Sequence, residues 1–159
     1  MKKTMKANFL IISLLFIFFI TPKVFSQEED KVVGYWLTQD GDSQVKIFKA
    51  KNGNYYGNIK WLKTPTREDG SIKLDDKNPD ADLSKKQILG LQILKGFSFN
   101  EDEKEWVDGT IYDPKSGKTY KCFMWFDKGN DVILHVKGFI GFSVIGSKVD
   151  WTREEKLRQ

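Results

Sequence analysis

The chain has 159 residues, 40% of them hydrophobic and 14% aromatic, with 26 lysines and arginines against 22 aspartates and glutamates. The positive excess is carried by Lys2, Lys3, Lys6 and Lys23, so residues 27–159 are neutral overall, show no basic run, and give no reason to expect a nucleic-acid partner. A single cysteine and a single histidine exclude an intramolecular disulfide and zinc or copper sites of ordinary composition, and no cofactor or metal is expected.

The first element in the chain reads as a targeting segment. Lys2, Lys3 and Lys6 precede the apolar run Phe9–Ile20, Pro22 breaks it, and Val24 and Ser26 are short residues before Gln27. This order of charge, apolar core and small residues is that of a secretory signal peptide. A membrane span needs roughly 20 apolar residues, and this core is only twelve residues long. Cleavage is therefore expected after Ser26, leaving 27–159 as a single domain in the periplasm or outside the cell. No cysteine follows the core to take a lipid, so no membrane anchor is expected in the mature chain.

Beyond residue 26, apolar residues alternate with polar ones, and glycine or Asn/Asp clusters interrupt them at short intervals. The expected strands are Val32–Thr38, Gln44–Ala50, Tyr55–Leu62, Ile88–Phe99, Glu105–Tyr112, Thr119–Phe126, Val132–Ile140 and Ser143–Thr152. The clearest turn is Asp113-Pro114-Lys115-Ser116-Gly117, where Asp113 is the turn residue before Pro114, and Pro114 and Gly117 supply the fixed φ and the left-handed-tolerant residue of a hairpin. Val132, Leu134, Val136, Gly138 and Ile140 share one face opposite His135 and Lys137, and Tyr55, Gly57, Ile59 and Trp61 share another. One buried and one solvated face, with short connections, predict an all-β fold: a single antiparallel meander of about eight strands, closed as a barrel.

Two segments break the pattern. Residues 63–87 are long, polar and rich in Asp and Lys, and read as a solvated connector, with a binding loop or lid as the alternative. A short helix near Asp82–Gln87, capped by Asp80 or Asp82, is expected within it. The charged tail Glu154–Gln159 is expected to fray.

A series of motifs spans nearly all of residues 27–159. It comprises Gly34-Tyr35-Trp36, Tyr56-Gly57-Asn58-Ile59, Asn78-Pro79, Leu94-Lys95-Gly96-Phe97, Gly109 through Tyr120, Gly138-Phe139-Ile140-Gly141 and Trp151-Thr152-Arg153. In these the chain resembles an uncharacterised family of secreted bacterial proteins, domain of unknown function 2147; the Ile-Tyr-Asp-Pro-x-Ser-Gly-x-x-Tyr stretch from Ile111 is the specific part. The resemblance implies no activity and no catalytic residues. Where its pattern leads one to expect arginine, this chain has Lys137 and Lys85-Lys86, and lysine is the poorer bidentate partner for an oxyanion. Gly34-x-Trp36 on the first strand and Arg153 near the end of the last also resemble lipocalin-like barrels, which implies that the guanidinium packs over the indole and helps close the barrel.

The constellations for chemistry are sparse. Asp75 to Asp82 clusters acids without the glycine and terminal glutamate of an EF-hand, and reads as solvated charge. No Gly-x-Ser-x-Gly elbow accompanies His135, and Cys122 reads as a buried structural thiol beside an exposed histidine. Binding remains: Trp61, Trp106, Tyr112 and Trp125 are candidates to line a cavity, the alternative being that they fill a solid core. The leading functional reading is a binding module for a small apolar or amphipathic ligand. The alternatives are an envelope protein-interaction module acting through its surface or the 63–87 loop, with no partner indicated, and a carboxylate-dependent hydrolase or isomerase.

Overall fold

A computed structural model describes residues 28–141 and 146–159. The expected signal peptide, 1–26, and the start of the last expected strand lie outside the described residues. Eight strands follow in chain order: β1 (Gly34–Leu37), β2 (Ser43–Lys49), β3 (Tyr55–Leu62), β4 (Gln92–Asn100), β5 (Glu105–Asp113), β6 (Lys118–Trp125), β7 (Ile133–Phe139) and β8 (Gly146–Glu154). Each pairs antiparallel with the next, and β1 pairs with β8 through Tyr35–Glu154, Trp36–Arg153 and Leu37–Thr152. The meander is thus a closed barrel without a free sheet edge.

The alternation that marks the strands also sorts the side chains. Val45, Ile47, Leu94, Phe97, Met124, Leu134 and Val136 are all at most 1% exposed and form the core. Lys60, Lys95 and Lys121 face out of β3, β4 and β6. A charged outer wall around an apolar interior is the reverse of a lipid-facing barrel. Among the described residues no helix is long and apolar enough to cross a membrane.

The two ends of the barrel differ. At one, a 3₁₀ turn, Asp30–Val32, lies over a cluster of aromatic rings, with Trp106 contacting Tyr55, Phe99 and Phe126 at centroid separations of 6.4, 5.1 and 5.4 Å. The polar edges of these residues tie the turn down. Trp36 Nε1 donates to the Val32 carbonyl at 2.8 Å, Trp106 Nε1 to the Glu29 carbonyl at 2.9 Å, and the Tyr55 hydroxyl to Asp30 Oδ1 at 2.9 Å. Arg153 completes the plug. Its guanidinium lies 4.3 Å from the Trp36 ring centroid and donates to the carbonyls of Asp131 (2.7 Å), Val33 (3.3 Å) and Lys31. A Cβ on residue 34 would sit 3.1 Å from Arg153 Nη1, so glycine there leaves the guanidinium its place.

Several local expectations change. The fourth strand begins at Gln92, so the long connection runs over 63–91. Within it, Leu83–Lys85 forms a 3₁₀ turn whose first amides, Asp82 N and Leu83 N, donate to Asp80 Oδ1 at 2.8 and 3.1 Å. Val132 and Ile140, expected inside with Leu134 and Val136, lie beyond the ends of β7 and are 50% and 71% exposed. The tail does not splay from the body. Gln44, fully buried, donates to Glu154 Oε2 (2.6 Å) and the Lys156 carbonyl (2.9 Å) and accepts from Arg158 N (3.2 Å).

Candidate ligand-binding site

The end opposite the plug is open. Here the β1–β2 turn, the end of β3, the long connection and the β5–β6 turn surround a cavity of about 500 Å³. Its walls are apolar: Ile59, Leu62, Ile88, Ile93, Ile111, Val149 and Trp151. The barrel is therefore solid in its plugged half and hollow toward its mouth. The volume falls within the ~300–1,000 Å³ typical of small-molecule sites, and so does the mix of apolar wall and few polar groups.

The rim is built by two turns that meet across the mouth. Lys115 Nζ, from the β5–β6 turn, pairs with Asp40 Oδ2 at 3.0 Å and Asp42 Oδ2 at 2.8 Å, both from the β1–β2 turn. Thr38 Oγ1 and Ser43 Oγ donate to Asp42 Oδ1 at 3.1 and 3.2 Å. Burial acts to raise the Asp42 carboxyl, but the Lys115 ammonium and these hydroxyls outweigh it and hold the group below the usual carboxylate range. The same carboxylates raise the Lys115 ammonium, first through the Asp42 hydrogen bond. A proton therefore binds Asp42 less tightly in the folded state than in the unfolded one. Its stabilising contribution is present above the unfolded value of about 4 and is lost as pH falls through the depressed folded value. The melting-temperature gap between wild type and Asp42→Asn should be widest above about pH 5, where the carboxylate is ionised in both states, and should narrow as the solution is acidified, read by circular dichroism. Solvent access to this pair limits the gap to about 1 kcal/mol.

The long connection forms the remaining side of the mouth and is fastened to it. Asp75 is fully buried and accepts from the Tyr112 hydroxyl and from Asn78 Nδ2, both at 2.7 Å. Burial first, and then this carboxylate, raise the Tyr112 phenol and keep it a donor. Lys77 Nζ donates to the Lys115 carbonyl at 2.6 Å. A Cβ at residue 117 would lie 1.9 Å from the Lys77 carbonyl oxygen, and Gly117 has φ +72°; glycine is what lets the two segments touch. In the turn itself, Asp113 Oδ1 and Oδ2 accept from Lys115 N (2.9 Å) and Ser116 Oγ (2.7 Å), with Pro114 between them.

Of the four residues expected to line a cavity, the structure brings only Tyr112 to this one. Trp106 is inside the barrel but belongs to the plugged end. Trp61 is outside. Gln44 pairs with Trp61 and Val45 with Ile59, so Lys60 is a bulge that shifts the alternation by one residue and turns the indole outward. There the tail covers it: the Arg158 guanidinium is 5.1 Å from its centroid, and its Nε1 donates to the Gln159 carbonyl at 3.1 Å. Trp125 is also outside, because Cys122 and Met124 take the inner face of β6 and leave Phe123 and Trp125 stacked on the outer wall at 5.2 Å.

His135 does face outward but is not exposed; it is 6% accessible, under Trp125 at a 5.0 Å centroid separation. Its Nδ1 and Nε2 lie 2.7 Å from Asp150 and 3.1 Å from Asp127. Cys122 is on the other side of the wall, with burial pushing its thiol up to about 12, so the two do not form a thiolate pair. Trp151 is the cavity aromatic that sequence reasoning missed. Its parity with Arg153 along the last strand is the signal that points to it, since both lie on the inner side. The Asp40–Lys115–Asp42 rim has no local signal, because it joins turns some 70 positions apart.

Comparison with known proteins agrees with the barrel fold. Residues 34–153 match the family described as uncharacterised proteins conserved in bacteria, domain of unknown function 2147. A solved structure of a protein from the human pathogen Helicobacter pylori, described as belonging to the lipocalin family, superposes with a TM-score of 0.62 at 22% identity, covering 78% of this chain and 83% of that one. The likeness is one of fold. No curated protein matches the chain.

Proposed function

The chain belongs to this uncharacterised bacterial family, and on that footing we propose that it is a binding module holding one small apolar or amphipathic molecule in the open half of its barrel. The observation that carries the reading is the cavity of about 500 Å³, walled by isoleucines, Leu62, Val149 and Trp151 beneath a polar rim. An apolar volume of that size open to water is unfavourable when vacant, and an apolar guest recovers about 25 cal/mol for each Å² it removes from water. The amphipathic character follows from the rim, where a polar end of the guest meets Thr38, Lys73 and Lys115 while its body lies against the walls. The long connection supports the same reading, since Thr64, Lys73 and Ile88 complete the mouth. The charge and apolar pattern of residues 1–26 supports export to the periplasm or outside the cell.

Titration with decanol, an uncharged chain of ten carbons, tests this directly. The expected result is a one-to-one complex by native mass spectrometry and a rise in melting temperature. At a free concentration 100-fold above Kd the stabilisation should be about 2.7 kcal/mol. A protein that takes up no alkyl probe, and carries no small molecule when purified from its own host, overturns the reading.

A further inference from the structure

Resting on the cavity reading, we propose that the natural occupant carries an anionic head group and that Lys73 is the residue that selects it. Among the described residues, five charged ones line the cavity: Asp40, Asp42, Lys73, Asp113 and Lys115. Four are already committed. Lys115 is shared by Asp40 and Asp42, and both carboxylate oxygens of Asp113 accept from its own turn, at 2.9 and 2.7 Å. The Lys73 ammonium has no hydrogen-bond or ion-pair partner among the described residues.

Lys73 is also fixed at its base. Its amide donates to the Pro65 carbonyl at 3.0 Å, and its carbonyl accepts from Ile88 N at 3.1 Å. The residue is partly buried and shares the cavity lining with apolar side chains, and its ammonium has no ion pair there. An anionic head supplies that pairing. A neutral head leaves the ammonium unpaired, and a cationic head is repelled by it. The Asp40–Lys115–Asp42 cluster carries two carboxylates to one ammonium, so it offers an anion no unpaired cation.

The test compares decanoate, decanol and decyltrimethylammonium by isothermal titration calorimetry at neutral pH. Wild type should bind decanoate about tenfold more tightly than decanol, the difference expected of one charge-assisted hydrogen bond. Lys73→Met should abolish that preference by weakening decanoate far more than decanol, and Lys73→Arg should keep it; circular dichroism and the melting temperature confirm that each variant is folded. Equal affinity for decanoate and decanol in wild type overturns the head-group inference and leaves the cavity reading standing. So does a preference that survives Lys73→Met, or tighter binding of decyltrimethylammonium. Failure of all three probes to bind overturns both.

Discussion

Replacing Arg153 by alanine should lower the free energy of unfolding by about 3 kcal/mol, measured by urea denaturation. The guanidinium stacks on Trp36 at 4.3 Å and, through charged donors, holds the carbonyls of Lys31, Val33 and Asp131. A stacked guanidinium contributes about 0.5–2 kcal/mol, and a hydrogen bond from a charged donor about 1.5–3. The terms do not add, because the freed carbonyls are partly rehydrated and share one residue. Against the 5–15 kcal/mol typical of a domain, a loss of about 3 is severe, and the melting temperature should fall by roughly 10 °C. The effect belongs to the plug: the carbonyls lie in the segment around the 3₁₀ turn and in the β6–β7 connection, so the arginine joins both to β8. Arg153→Lys should recover less than half of the loss, since an ammonium cannot lie flat on the indole and reach three acceptors at once. A change below about 0.5 kcal/mol for Arg153→Ala, the range of an ordinary surface substitution, would show that the plug closes without it.

Filling the cavity should separate binding from folding. Ile111 lies on the inner wall with Gly138 beside it, where a Cβ would stand 3.5 Å from Ile111 Cγ2. Ile111→Trp places an indole into open space, so it occupies volume without creating the strain of an overfilled core. Decanol affinity should fall by at least about 100-fold, which is about 2.7 kcal/mol. The melting temperature in the absence of ligand should stay within a few degrees of wild type or rise, because the added ring buries apolar surface. Val149→Phe, from the facing set of wall residues on β8, is an independent second block and should act in the same direction. Wild-type affinity in both folded variants would place the guest elsewhere and remove the mouth as the site.

These two regions differ in how far local sequence reveals them. Gly34, Trp36 and Arg153 stand out through the resemblance to lipocalin-like barrels, and the turn from Asp113 to Gly117 by its residue types. What pattern does not reveal is that Arg153 also ties the chain before β1 to the β6–β7 connection, since those acceptors are backbone carbonyls with no side-chain signature. At the mouth the balance reverses. Ile59 falls on the predicted inner face and Tyr112 was a candidate liner, but Lys73, Asp40, Asp42 and Lys115 look like ordinary solvated loop charges until the turns are brought together. The tail shows the same limit: a charged hexapeptide is expected to fray, yet Gln44 and Trp61 on the outer wall hold it.

By itself the sequence determined the eight strands, their order and the all-β class, because alternation and turn chemistry are properties of a few consecutive residues and survive whatever the rest of the chain does. Tertiary structure alone decided which way the tryptophans point. Apolar residues occupy both faces of β6, and a one-residue bulge at Lys60 reverses parity in β3, so Trp61 and Trp125 go outside while Trp106 is drawn into the plug. Parity beyond a bulge is set by the hydrogen-bonded neighbour strand, and that neighbour is fixed only when the barrel closes. The hollow mouth has the same origin. Its walls come from strands far apart in the chain, and its volume is what remains after the plugged half has filled.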